Sequence, residues 1–195
     1  PRNSVFVPPV LADLSIFYGD VVRETYESRS RCFGETANIG LPGKFLKMRL
    51  SNKPKRIGIF LTALTRKDTI VRLVSEIQAI DENLQILIRH HPVALLETDL
   101  SDITAKNAGV AVTLGTPLDD DIANCDAIIC GNSGVALNAL RGGCPVAYMP
   151  ALDQLQHDYN GFLEQGLIPE IDEWSQGSFA DLQRFYQAPD WLQIM

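Results

Sequence analysis

Net positive charge is the first thing this sequence lacks: 17 Lys and Arg stand against 24 Asp and Glu, leaving −7 over 195 residues. That argues against a nucleic-acid binder, whose footprint is a basic surface. It also means that an anionic ligand must be held locally, by backbone amides and a few cations, because bulk attraction does not help. Cysteine pairs are missing as well. The four cysteines, Cys32, Cys125, Cys130 and Cys144, form no C-x-x-C and no metal-ligand spacing. The last three lie in or beside apolar runs and read as small buried hydrophobes in a reducing compartment, with no structural disulfide. No apolar run is long enough to span a bilayer, no signal peptide is recognisable, and there are no repeats or low-complexity tracts. The sequence opens on Pro1 rather than methionine, as a processed chain, an excised piece or the end of something longer would.

What is present is an ordinary globular composition, 46% apolar and 21% charged, in a length ample for one α/β domain and tight for two. From Arg56 onward, short apolar runs alternate with helical patterns. Ile57 to Leu61, Leu84 to Ile88, Val110 to Leu114, Ala127 to Cys130 and Pro145 to Met149 read as strands buried on both faces. Lys67 to Ile80 carries Ile70, Leu73, Val74, Ile77 and Ile80 at helical spacing. Further helices are expected between Leu95 and Asn107, over Leu118 to Ala123 with Asp119 to Asp121 in its first turn, and over Ser133 to Leu140. A last one is expected over Leu152 to Gln165, stopped by Gly166. The alternation predicts a Rossmann-like, doubly wound parallel sheet with helices on both faces.

The first fifty residues differ. Ile16 to Tyr18 reads as a strand and Gly19 to Ser30 as a helix, then Ile39 to Gly43 breaks into turns. The basic run Lys53-Pro54-Lys55-Arg56 marks a boundary, so residues 1–54 form an add-on or the tail of a preceding domain and 55–188 the main domain. Residues 189–195 are expected to be an irregular tail packing Trp191 on a neighbour.

Ligands of open parallel sheets bind beyond the strands' carboxyl ends, and four such loops are unusually polar. In Gly131-Asn132-Ser133-Gly134-Val135 a strand ends in a small-residue turn that opens a helix. Its free amides and the Ser133 hydroxyl suit a phosphate, and the competing interpretation is a plain serine cap. Arg89-His90-His91-Pro92 offers a cation and imidazoles to a phosphate or hydroxyl, against a packed histidine and a surface ion pair. His91 is favoured, because Pro92 fixes its backbone. Thr62 to Lys67 presents hydroxyls and two cations, or simply Thr65 as a helix cap. Asp153 to Asn160 suits sugar hydroxyls, or Asp153 caps the next helix. All four fall on one edge of one sheet, and that convergence carries the functional expectation.

The string from Asn132-Ser133-Gly134-Val135 through Asn138-Ala139-Leu140 and Gly142-Gly143 to Pro145-Val146 resembles the donor-binding segment of GT-B glycosyltransferases, shared by the related UDP-N-acetylglucosamine 2-epimerases. Asp153-Gln154, Asn160, Leu163 and Gly166 are similar to their D-Q-x-x-N-x-x-x-L-x-x-x-G segment, with a longer gap before Asn160. Arg89-x-His91-Pro92 resembles a motif of surface-polysaccharide transferases, and Gly40-Leu41-Pro42 the end of their N-terminal domain. The resemblance spans about Tyr18 to Ile171. It implies the C-terminal half of a GT-B fold, with a nucleotide-sugar as donor substrate and no cofactor besides. It places the diphosphate on Ser133 and Gly134 with their neighbours Asn132, Val135 and Thr62, a phosphate on His91 and Arg89, and the sugar on Asp153 and Gln154. Asn138 stands where many of these enzymes have a ribose-binding glutamate, and a neutral amide is the weaker partner. The N-terminal domain that normally supplies acceptor contacts is essentially missing.

The expected reaction is sugar transfer to a cell-surface glycan or lipid-linked acceptor, in the cytoplasm or at the inner face of the membrane. Amides at Ser133 with His91 and Arg89 would stabilise the leaving phosphate. No metal is expected, since no Asp-x-Asp is present apart from the helix start at Asp119 to Asp121. Three alternatives stay open: a sugar-nucleotide 2-epimerase, a non-catalytic donor-binding subunit that needs a partner, and a flavodoxin-like binding domain.

Overall fold

The structure, a computed structural model, describes residues 9–17, 19–40, 45–51, 53–92, 99–153, 158 and 160–194. Five parallel strands form the main sheet: β3 (Arg56–Phe60), β4 (Gln85–Arg89), β5 (Val110–Thr113), β6 (Ala127–Cys130) and β7 (Val146–Tyr148), in the order β5-β4-β3-β6-β7. The connecting helices are α2 (Lys67–Ile80), α3 (Ser101–Lys106), α4 (Leu118–Ala123) and α5 (Val135–Arg141). Ile57, Ile59, Ile128, Ile129 and Val146 have no solvent exposure, because helices cover both faces of their strands. Right-handed crossovers put α2 and α3 on one face and α4 and α5 on the other. The α2 residues Ile70, Leu73, Val74 and Ile77 are buried, as their spacing requires.

A separate two-stranded parallel sheet precedes this domain. It pairs β1 (Leu14–Phe17) with β2 (Glu35–Asn38), joined by α1 (Asp20–Glu27). β2 was not expected, since Glu-Thr-Ala-Asn has little β-propensity and is held by its pairing with β1. Residues 45–51 are strapped to the main domain. Leu46 and Arg49 donate backbone N–H bonds to Arg141 O (2.8 Å) and Gly143 O (2.7 Å), and the Arg49 guanidinium reaches Ile122 O and Ala123 O at the end of α4.

Two expectations are corrected at the C-terminal end. Beyond a single 3-10 turn, Pro150–Leu152, the described residues up to Gln165 form turns and not a helix. The Asp158 carboxylate accepts the amides of Phe162, Leu163 and Glu164 (2.8–3.0 Å), taking donors that a helix would use, and Gly161 interrupts the run with φ +71°. The helix falls later, at α6 (Ser178–Gln187), where Leu182 and Tyr186 are buried one turn apart. The tail is likewise α-helical, α7 (Pro189–Ile194), with proline at its first position. Its Trp191 does pack on a neighbour. The ring meets Tyr186 edge-on at 4.8 Å and its Nε1 donates to Leu167 O at 2.9 Å. No helix among the described residues is long and apolar enough to cross a membrane.

Tyr186 also closes the sheet's edge. Its buried hydroxyl donates to Val146 O (2.7 Å) and accepts Val146 N–H (3.2 Å). Tyr186→Phe strands both groups of β7, and unfolding in urea is expected to show a loss of about 1–3 kcal/mol. Burial pushes the Cys125 and Cys130 thiols up to about 12 and raises Cys144 further still. A maleimide at pH 8 should therefore label the half-buried Cys32 in the folded chain and the other three only on unfolding.

Candidate functional site

Between β3 and β6 the strand order reverses, because α2 leads away in one direction and α5 in the other. At such a reversal the loops part and leave a crevice beyond the carboxyl ends of the strands. A cleft of 310 Å³ lies there, walled by Leu61 after β3, Arg89 at the end of β4 with both His90 and His91 and Pro92 after it, and Ser133 and Val135 after β6. A larger groove of 440 Å³ runs between residues 45–50 and the Leu140–Trp191 side of the domain; its walls are mostly apolar. The switch cleft is the one where polar groups converge.

The turn after β6 is fixed from outside. Asn132 N–H donates to the buried Asp153 carboxylate at 3.1 Å, and Asn132 Oδ1 accepts Asn160 Nδ2 at 2.9 Å. Gly131 is required by packing: a Cβ there would lie 2.9 Å from Thr62 Cγ2 and 3.2 Å from Asp153 Cβ. Gly134 is different, since a Cβ there meets nothing within 4 Å and its φ of −58° suits any residue. Helix α5 starts at Val135 with Gly134 as its cap, and Ser133 Oγ accepts the Val135 amide at 3.3 Å. The helix thus begins two residues after Ser133, where it was expected to start, and Ser133 stays on the cleft wall.

Arg89 is committed to the protein. Its guanidinium pairs with Asp121 Oδ2 and donates to Thr116 O at 2.8 Å, while Thr113 Oγ1 donates to the same Asp121 oxygen at 2.9 Å. Asp121 is only 3% exposed, so it serves as more than a dipole-matched acid at a helix start. Thr62 is committed too. Its hydroxyl and that of Thr65 both donate to Leu152 O, at 3.2 and 2.9 Å, pinning the β3 loop to the turn after β7. Thr65 is not the expected helix cap, since α2 is entered through Arg66 without a side-chain bond.

No family model matches the sequence, and no curated protein matches it. Solved structures do. The calicheamicin glycosyltransferase CalG4 matches with a TM-score of 0.59 at 15% identity, over 95% of this chain and 47% of its own. The pneumococcal O-GlcNAc transferase GtfA, solved in complex with UDP and GlcNAc, gives 0.50 at 17% identity over 90% of this chain and 38% of its own. The fold is the Rossmann-like half of a GT-B glycosyltransferase. The chain spans less than half the length of either structure.

Within this fold most of the expected site residues fall into two groups. His91, Arg89, Ser133 and Val135 line one cleft, with Gly134 between the last two in sequence. Asp153 holds the turn through the Asn132 amide, and Thr62 is tied to the Leu152 carbonyl next to Asp153. Asn132 points its Nδ2 into a buried position with no partner among the described residues. Asn138 turns back along α5, with Nδ2 3.4 Å from Gly134 O. Gln154 lies outside the described residues. One participant was missed by sequence reasoning. Asp121 was hidden among three consecutive acids that all suit a helix start. Tyr148 was read as strand, as found; its buried hydroxyl has no partner among the described residues, and its pKa is pushed up to about 12, by burial first and then by the charges of Asp153, Glu170 and Asp158.

The two glycines give a direct check. Gly131→Ala is expected to cost about 1–3 kcal/mol of stability through overpacking against Thr62 and Asp153. Gly134→Ala should leave thermal unfolding unchanged or slightly raised, since alanine loses less entropy at a helix end.

Proposed function

We propose that this chain forms the donor-binding half of a glycosyltransferase and seats a nucleoside-diphosphate sugar in the switch cleft. The observation that carries this is the convergence of Ser133, Val135, His91 and Arg89 on one cleft at the sheet's reversal. The diphosphate lies against the turn leading into α5, where amides without helical partners and the Ser133 hydroxyl face it. Gly134, with open space where a side chain would be, lets the phosphate reach the backbone.

As the glycosidic bond to the leaving phosphate breaks, negative charge grows on the phosphate oxygens. Groups already aimed at that position stabilise it without reorganising. In this reading His91 donates to one leaving-group oxygen and the turn amides donate to the others, in place of a divalent ion. Arg89, balanced by Asp121, fixes the β4 wall and contributes less than a free cation would. In the same reading Asp153 holds the turn instead of the sugar, and Thr62 holds the Leu152 carbonyl instead of the diphosphate, each a change from its expected role. Asn138 remains the partner for a ribose hydroxyl, and Gln154 keeps its sugar role on sequence grounds alone. The acceptor, a cell-surface glycan or a lipid-linked one, is presented by a second half, which places the reaction in the cytoplasm or at the inner membrane face.

Thermal unfolding with UDP, CDP, CMP and GDP tests the donor seat. Ligand at one hundred times its Kd adds about 2.7 kcal/mol, which raises Tm by roughly 5–10 °C for a chain of this size. One nucleotide is expected to do so. Ser133→Ala and His91→Ala should each weaken it by roughly ten- to a hundredfold, the worth of one hydrogen bond to a charged group. Gly134→Val should abolish the shift without lowering the Tm of the free chain by more than about 2 °C. If none of the four nucleotides moves Tm, the donor assignment is wrong.

A further inference from the structure

Nine asparagines occur in the chain, and one of them, Asn160, is followed by glycine. Asparagine is thermally labile because the amide nitrogen of the next residue can attack its side-chain carbonyl carbon. A following glycine makes that attack easiest, since it has no Cβ to shield the nitrogen or restrict its approach. An α-helix prevents the reaction by holding each amide in the ladder to the residue four before it. The turns that stand here in place of the expected helix therefore matter chemically. Half-buried Asn160 lies in a turn, and Gly161 follows with φ +71°. The Gly161 N–H meets Asp158 O at 3.3 Å, long for an N–H···O bond, so its nitrogen is weakly held.

The contacts of Asn160 tie it to the cleft. Its Nδ2 donates to Asn132 Oδ1 at 2.9 Å, and Asn132 precedes Ser133 in the turn after β6. The Asn132 N–H already donates to the Asp153 carboxylate at 3.1 Å. Asn132 Nδ2 is buried with no partner among the described residues. An acceptor in place of Asn160 Nδ2 would face an oxygen, until Asn132 turned its carboxamide over and brought its own Nδ2 round.

We infer that Asn160 is a site of spontaneous deamidation, and that its conversion weakens the hold of the β6 turn on an anionic ligand. The Gly161 nitrogen bonds to Asn160 Cγ and gives up its proton, while Nδ2 leaves as ammonia and a succinimide ring closes. Water then adds at either ring carbonyl and opens the ring, giving aspartate or isoaspartate. Nothing is oxidised or reduced, and the net change is water gained and ammonia lost. Aspartate turns the donor facing Asn132 into a charged acceptor, beside a turn that Asp153 already holds. Isoaspartate adds the same charge and lengthens the backbone by one carbon, next to the amides of Phe162, Leu163 and Glu164 that Asp158 gathers. Either product opposes a negative ligand on the Ser133 side of the turn. The effect on the ligand rests on the donor-half reading; the chemistry at Asn160 does not.

The test incubates the folded chain at pH 8 in heavy-oxygen water and maps the products by mass spectrometry. Asn160 is expected to convert, with label incorporated, roughly tenfold faster than Asn107, which precedes alanine. Asn160→Gln should show no conversion there, because the larger ring closes far more slowly. Folded-state conversion no faster than at Asn107, with rapid conversion in urea, overturns the site. Asn160→Asp stands for one product, and the aged chain itself is measured beside it. Each should bind whichever of UDP, CDP, CMP and GDP raises Tm roughly three- to thirtyfold more weakly, with the loss greatest at low salt. Affinities equal to that of the fresh chain overturn the effect on the ligand. If no nucleotide binds even the fresh chain, the donor seat fails alone. The mass spectra still decide the site, and hydrogen exchange at Asn132 and Ser133 decides the turn: faster exchange in Asn160→Asp supports the loosening and unchanged exchange overturns it.

Discussion

Where β3 lies beside β6, the two strands feed helices that leave the sheet in opposite directions, and a cleft opens beyond their ends. Everything else at the site follows from that parting. β4 brings Arg89 and His91 to one wall of the gap, and the turn after β6 brings Ser133 and Val135 to the other. The central strands can lie side by side because both are apolar, apart from Arg56 at the start of β3, and helices cover both faces, so the gap is set by the fold's best-buried part.

The walls of the gap are held rigid by buried polar contacts. Asp121 collects Arg89 and Thr113 on one side, and on the other Asp153 takes the Asn132 amide while Thr62 and Thr65 share the Leu152 carbonyl. Breaking a buried charge pair from one side leaves an uncompensated ion, which makes such pairs costly to lose even when they add little net stability. Groups that do not face the ligand thereby fix those that do. Gly131 shows the same economy of space, since its missing side chain is filled by Thr62 and Asp153.

Much of this was legible in the sequence. The five strands of the main sheet and the helices at Lys67–Ile80 and Leu118–Ala123 are where hydrophobic periodicity puts them. The four polar loops were found by their position after strands, and two of them, around His91 and Ser133, do line one cleft. The roles of Thr62, Arg89 and Asp153 were not legible, because their partners Leu152, Asp121 and Asn132 lie 21 to 90 residues away in sequence. Local turn chemistry around Asp158 defeated the helical pattern that follows Leu152.

By itself the sequence determined the class of fold and the edge of the sheet on which to look. Burial of apolar runs on both faces and helical spacing are local signals, carried by neighbouring residues. Only the tertiary structure decided which polar side chains face the cleft and which are spent holding it, because each choice depends on a partner brought near by the crossovers. It also decided that Ile16, which read as an ordinary strand residue, faces outward with Leu14 while Ser15 between them is buried. No local pattern could show that, since alternation fixes which residues share a face but not which face is covered.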